Sequence, residues 1–234
     1  MSKVGAEKYL AKVRPIAYYR TRSIREVQIA RNKSAAETIS AITKGSGFTA
    51  ITAGHWDMIS AVKHVLSEIG PADVWISTWI PAMQEIVDLK DMINEGQIRK
   101  VKLLIDIGFV SSRELHAAKV MDWIGAANIV TARNHSKMAL FRNEQFDYCL
   151  RGSLNLNSNN RCENIDGDES KSMVDAFLPL WEEYAAVLGN GLYISNHDAL
   201  AAHKTVMGVK IGSNKPKTIS TERAELNDFL LGLE

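Results

Sequence analysis

The sequence predicts an α/β chain: a mixed β-sheet flanked by helices on both faces. Three observations predict it. From residue 48 onward, short β-rich runs alternate with longer amphipathic ones, which is the mark of layered helices and strands. VKLLIDI (101–107) is almost wholly apolar, as a central strand covered on both faces must be. Beyond Gly125 the pattern changes to closely spaced strands, so an antiparallel part joins the parallel one.

The elements follow in order. FTAITAG (48–54) reads as a strand, followed by a helix from His55 or Trp56 to about Ile69 that Gly70-Pro71 closes. ADVWIST (72–78) is the next strand. Pro81 suits the first turn of a helix that runs to about Glu95 and stops at Gly96. The central strand 101–107 then leads to a helix over about 111–124. NIVTAR (128–133) is a short strand, and 135–142 and 146–156 form an antiparallel pair joined across Asn143-Glu144-Gln145. A long helix is expected from about Asp168 to Leu188, with Trp181 and Tyr184 on its apolar side. Residues 191–221 mix Gly, Ser, Asn, Lys and Thr with few apolar anchors and read as irregular, while TERAELNDFLLGLE reads as a terminal helix. This divides the chain into a basic helical arm (1–46), an α/β domain (47–190) and a C-terminal extension ending in a helix (191–234), with no internal repeat.

A formal net charge of +1 over 234 residues supplies no global field toward a polyanion, but the charge is unevenly placed. Residues 1–33 carry Lys3, Lys8, Lys12, Arg14, Arg20, Arg22, Arg25, Arg31 and Lys33 against only Glu7 and Glu26, with Tyr9, Tyr18 and Tyr19 between them. Such an arm can hold a nucleic-acid backbone through counterion release and stacking, or be a solvated helix face. No apolar run is long enough for a signal peptide or a membrane span, so a cytoplasmic protein with no membrane partner is expected. Cys149 and Cys162 fit that compartment as reduced thiols, being too few for a disulfide framework or a zinc site.

The chemistry concentrates in HSKMALFRNEQFDYCLRGSLNLNSNNRCEN (135–164). On a strand, His135 and Lys137 share one face, as do Ser153 and Asn155, while Leu154 and Leu156 turn into the core. Closing the hairpin near 142–146 brings His135 opposite or close to Ser153. An imidazole, an ammonium, a hydroxyl and a carboxamide then converge. In-line displacement at a phosphodiester builds charge on the non-bridging oxygens, which Lys and Asn donors can stabilise. Histidine alone has an unperturbed pKa that suits both a nucleophile and a proton donor near neutrality. Glu163 is placed to accept a ring N–H from His135 and fix its tautomer.

His135-x-Lys137, then Gly152-Ser153-x-Asn155, then Glu163, resembles the HKD signature of the phospholipase D superfamily, and the run 48–188 resembles its fold. SLNLNSNNRCEN is similar to a bacterial and phage-associated, nuclease-like subset with one motif per chain. The resemblance implies that His135 attacks phosphorus to give a phosphohistidine without metal or cofactor. It also implies that Lys137 and Asn155 bind the phosphoryl oxygens, Ser153 supports them and Glu163 orients the imidazole. Because family members build one site from two motifs, it implies a homodimer with the two histidines facing each other. One departure stands out: the family aspartate seven residues after the histidine is replaced by Arg142.

The expected function is therefore a homodimeric phosphodiesterase cleaving nucleic acid, DNA in preference to RNA, with the basic arm favouring nucleic acid over lipid. Arg161 is a candidate phosphate ligand, or the partner of a carboxylate. A lipid or other phosphodiester hydrolase is the second reading, and a non-catalytic nucleic-acid-binding protein with a degenerate site is the third. His55, Thr78, Trp79 and Asp106 fall at carboxyl ends of expected strands, where α/β sheets place ligands, but each reads as a cap or a satisfied polar group. The five tryptophans read as core.

Overall fold

The computed structural model describes residues 25–30, 34–39, 41–112, 114–157 and 161–191. The remainder of the arm and almost all of the C-terminal extension, including the expected terminal helix, lie outside the described residues. Among the described residues, eight strands form one mixed sheet: β1 Arg25–Ala30, β2 Gly47–Thr52, β3 Ala72–Thr78, β4 Ile98–Asp106, β5 Ile129–Ala132, β6 Met138–Arg142, β7 Asp147–Gly152 and β8 Glu163–Glu169. Their spatial order is β1-β2-β8-β7-β6-β3-β4-β5. Strands β1 and β2 run parallel, as do β3, β4 and β5, and the antiparallel β6–β7–β8 block is inserted between these two parallel sets.

Helices cover both faces, which is the expected architecture. On one face lie α1 (Ala35–Thr38), α2 (Met58–Ile69), α3 (Met83–Asn94) and α5 (Glu114–Ile124), the last preceded by the short α4 (Ile107–Ser112). Their apolar sides meet Phe48, Val74, Ile76, Leu103, Ile105, Phe141 and Leu150 of the sheet. On the other face α6 (Lys171–Phe177) and α7 (Pro179–Leu188) bring Met173, Val174, Trp181 and Tyr184 onto Leu104, Val130, Leu140 and Cys149. Leu103, Leu104 and Ile105 thus feed both cores, which is why the strand reads apolar throughout. Burial among these side chains pushes the Cys149 thiol up to about 11, which makes it an inert core residue at neutral pH.

Three expectations are corrected. Residues 25–30, assigned to a helical arm, form strand β1, paired parallel to β2 from Arg25↔Gly47 to Ala30↔Thr52. The sheet domain therefore begins before residue 47. The helix expected from Asp168 starts at Lys171 instead, capped by the Ser170 side chain, and is divided at Leu178 where Pro179 opens α7. Ahead of it, ENIDGDE (163–169) is a strand.

That acidic strand holds its place through partners rather than propensity. Ile165 is its core contact, Asp168 forms a 2.8 Å ion pair with Arg151, and Asp166 accepts from the Thr49 hydroxyl at 2.5 Å. Glu169 takes the Lys44 ammonium at 3.0 Å and the Gly45 N–H at 2.8 Å. Gly167 is required because the Phe48 ring and the Tyr148 hydroxyl occupy the volume that any side chain would need.

Candidate functional site

The topology brings one end of several strands together. Strand β6 runs antiparallel to β3, so its beginning, Met138, pairs with Ser77 at the carboxyl end of β3. The end of β7 returns to the same place through Met138↔Arg151, and β8 starts there, with Glu163 paired to Thr52 at the carboxyl end of β2. The segment 133–137 crosses from β5 to β6 over this edge. Carboxyl ends of parallel strands, where the sheet changes direction, are where open α/β sheets place their sites.

His135 and Lys137 do come together, though not on a strand. Both precede β6, in an extended loop, and the Lys137 ammonium lies 2.8 Å from His135 Nδ1 while donating to the His135 carbonyl at 2.6 Å. The imidazole is exposed, whereas Lys137 is only 8% exposed. Burial lowers the Lys137 pKa, and the nearby carboxylates of Glu163 and Asp106 oppose that shift. A lysine in this setting is a charge kept beside the imidazole on a flexible stem.

The loop is fixed by Asn134, a residue the sequence reading did not single out. Its side-chain NH2 lies 2.9 Å from the Ser77 hydroxyl, 3.0 Å from the Thr78 carbonyl and 3.1 Å from that of Leu104. Its Oδ1 accepts from the Ser136 hydroxyl at 2.7 Å and the Ser136 N–H at 3.1 Å, and its own N–H donates to Asp106 Oδ2 at 2.9 Å. Ser136 is thereby turned toward Ser77, and His135 and Lys137 to the opposite side. Asp106 also accepts from the Gly108 N–H at 2.8 Å, so it is the satisfied polar group its position suggested. The only sequence signal for Asn134 was its place directly before the histidine.

The second half of the motif abuts the first. The Gly152 N–H donates to the Lys137 carbonyl at 3.2 Å, and the Ser153 N–H to the Asn164 carbonyl at 3.0 Å. A β-carbon on Gly152 would run into that same Asn164 carbonyl, so the Gly-Ser step is a close backbone approach that only glycine allows. The Ser153 hydroxyl accepts from the Asn164 N–H at 3.0 Å and ties β8 to the turn, a structural bond that leaves its hydrogen to donate elsewhere. Leu154 and Leu156 are buried as expected, and the backbone of 155–156 is stitched to Met58 and Ala82 by hydrogen bonds of 3.4 and 2.7 Å. Asn155 Oδ1 is buried with no hydrogen-bond partner among the described residues. Glu163 lies near enough to act on the Lys137 charge. Arg161 is exposed.

Arg142, where the resemblance would have placed an aspartate, sits at the far end of β6 from His135. Its guanidinium bonds Asp147 through Nε at 2.5 Å and Asp175 of α6 through Nη2 at 2.5 Å. It clamps the hairpin to a helix and takes no part in the site. Arg142→Asp is accordingly expected to gather three carboxylates there and cost roughly 1–3 kcal/mol, with no gain in any activity. A thermal melt should show the loss as a decrease in Tm.

Among the described residues no helix is long and apolar enough to cross a membrane. Trp79 corrects the expectation that all five tryptophans are core, for it is 40% exposed, with its ring centroid 5.2 Å from that of His135.

No family model matches the sequence, and no curated protein does. Among solved structures, NucT from Helicobacter pylori is similar at 14% identity with a TM-score of 0.46, over 63% of this chain and 99% of that one. Polyphosphate kinase from Porphyromonas gingivalis is similar at 15% identity with a TM-score of 0.40, over 64% of this chain and 24% of that one. The chain thus spans about a quarter of the kinase's length. Both are likenesses of fold.

Proposed function

We propose that the chain is a phosphodiesterase of the phospholipase D type that cleaves nucleic acid through a phosphohistidine on His135. The observation that carries this reading is the joining of the two half-motifs. An exposed imidazole touches a buried ammonium, and the Gly152-Ser153 turn is bonded to the backbone of the same loop.

The chemistry follows from those groups. At rest the Lys137 ammonium occupies the His135 Nδ1 lone pair. A phosphodiester, being charged, competes for the ammonium and draws it onto a non-bridging oxygen. The released ring can then carry its proton on Nδ1, with Glu163 as acceptor, which leaves the Nε2 lone pair for phosphorus. The side-chain amide of Asn155 offers an NH2 donor to a second oxygen. Attack forms the N–P bond and breaks the bond to the leaving oxygen, which takes a proton from a second imidazole. Water then attacks the phosphohistidine, gives its proton to that second imidazole and restores His135.

One motif per chain supplies one imidazole, so the second comes from another copy across a two-fold axis. A homodimer of twice 26.0 kDa is the working unit in this reading. The basic stretch before residue 34 supports a nucleic-acid substrate, DNA before RNA.

The test is cleavage of plasmid and of single-stranded DNA and RNA by the intact protein in excess chelator, with sedimentation run in parallel. Cleavage by a dimer is expected. Turnover of a small soluble phosphodiester with none of DNA or RNA would transfer the reading to another diester. Salt-sensitive binding with no turnover of any diester would leave a binding protein with a silent site.

A further inference from the structure

Trp79 is exposed where an exposed aromatic is least expected. Histidine aside, every other aromatic side chain described is buried or partly buried, and Trp56 and Trp181 are only 6% and 1% exposed. Leaving 40% of an indole in water forfeits hydrophobic stabilisation that the fold collects at the other tryptophans. The position is nevertheless held firmly. Thr78 before it is buried, its own carbonyl accepts the Asp106 N–H at 3.3 Å, and the chain passes through Ile80 and Pro81 into α3.

Its neighbours define what it can do. The indole and the His135 ring are tilted by 50° at a 5.2 Å centroid separation, so the imidazole does not lie flat on the indole. The Lys137 ammonium stands 6.0 Å from the ring centroid, at the outer limit of a cation–π contact. A 40% exposed indole therefore adjoins both the group assigned to phosphorus and the group assigned to its oxygens. In a nucleic acid, a base lies one sugar away from every phosphate.

We infer that Trp79 is a stacking platform for an unpaired nucleobase flanking the scissile phosphate, so that the site selects single-stranded nucleic acid. The inference rests on the proposed nucleic-acid reading and adds strandedness to it. Stacking on an aromatic ring tolerates every base, because each has a π-face, and it needs no sequence. A base in a duplex has both faces already covered by its neighbours and cannot use the platform without leaving the stack.

The test is a binding titration, read by tryptophan fluorescence and by anisotropy, on protein carrying His135→Ala so that nothing is cleaved. The probes are an oligothymidylate and an abasic oligonucleotide of the same length and charge. The base-bearing strand is expected to bind about tenfold more tightly and to quench emission, in the range that stacking of one base supplies. Adding Trp79→Ala should abolish the quench and make the two probes bind alike. Trp79→Phe should lose the quench while keeping much of the preference, which a merely structural tryptophan would not produce. Equal binding of the two probes before any change at Trp79, binding of neither, or a preference that survives Trp79→Ala would overturn the inference. The nuclease reading fails separately: stacking seen here, with no cleavage of the same oligothymidylate by the unaltered protein, would retain the platform and remove the chemistry.

Discussion

His135→Ala is expected to lower phosphodiester cleavage by about 10⁴-fold or more, because removal of a nucleophile takes away the covalent route and leaves only binding and electrostatic assistance. The fold should not notice. The imidazole is exposed, and the loop around it is held by Asn134 and the Lys137 backbone rather than by the ring. A melt of the variant within about 2 °C of the parent, beside rates at background, is the expected pair of results. Addition of free imidazole offers a sharper reading, since a small nucleophile entering the vacated space should restore part of the rate. Cleavage persisting within tenfold of the parent would remove His135 from the chemistry.

Lys137→Met is expected to have the second largest effect, with stability and activity moving in different directions. Loss of an ammonium aimed at developing charge costs about 10²–10³-fold in kcat. Stability follows from proton linkage. Burial lowers the Lys137 pKa in the folded chain, and Glu163 and Asp106 only partly oppose it, so between the folded value and the ordinary lysine value the unfolded chain holds more protons. Stability contributed by this group therefore rises with pH through that window. Below the folded pKa the buried charge is a net cost. Methionine keeps the length of the stem without the charge, so Tm at pH 7 should stay level or rise, and the alkaline increase should flatten. A fall of more than about 4 °C at pH 7 would show that the ammonium holds the loop together, contrary to a lysine kept for substrate.

Much of this arrangement is legible in the sequence wherever hydrophobic period and local chemistry agree. The helices found at 58–69 and 83–94 and the strands at 72–78 and 98–106 answer to those expected from His55 or Trp56 to about Ile69, from Pro81 to about Glu95, at 72–78 and at 101–107, with Gly70 and Gly96 as punctuation. The meeting of His135-x-Lys137 with Gly152-Ser153 follows from the hairpin between them, which β6 and β7 form. What escaped is what depends on distant partners. ENIDGDE has one large apolar residue and four carboxylates, so nothing local marks it as a strand. It becomes one because Arg151, Thr49 and Lys44 satisfy Asp168, Asp166 and Glu169 from other elements. Edge strand β1 was hidden by its basic surroundings, since the charge of residues 20–33 resembles that of a solvated helix.

At the site the same division holds. Residue types and order pointed to His135, Lys137, Ser153, Asn155 and Glu163, but not to how they are held. His135 and Lys137 share a side because Asn134 and Ser136 are bonded inward, and not because a strand alternates there. Trp79 was read as core because the five tryptophans fall mainly at helix and strand packing positions. Its exposure is a tertiary property that no local pattern specifies.

The most direct measurement of the central claim is the mass of the His135 peptide after a single turnover. Protein mixed with a slight deficit of labelled oligonucleotide is quenched in alkaline denaturant, where a phosphohistidine survives, and digested. A nucleotide adduct on His135 that forms and decays at the rate of product release is the result expected. Complete conversion of the oligonucleotide with His135 unmodified at every time point would contradict it.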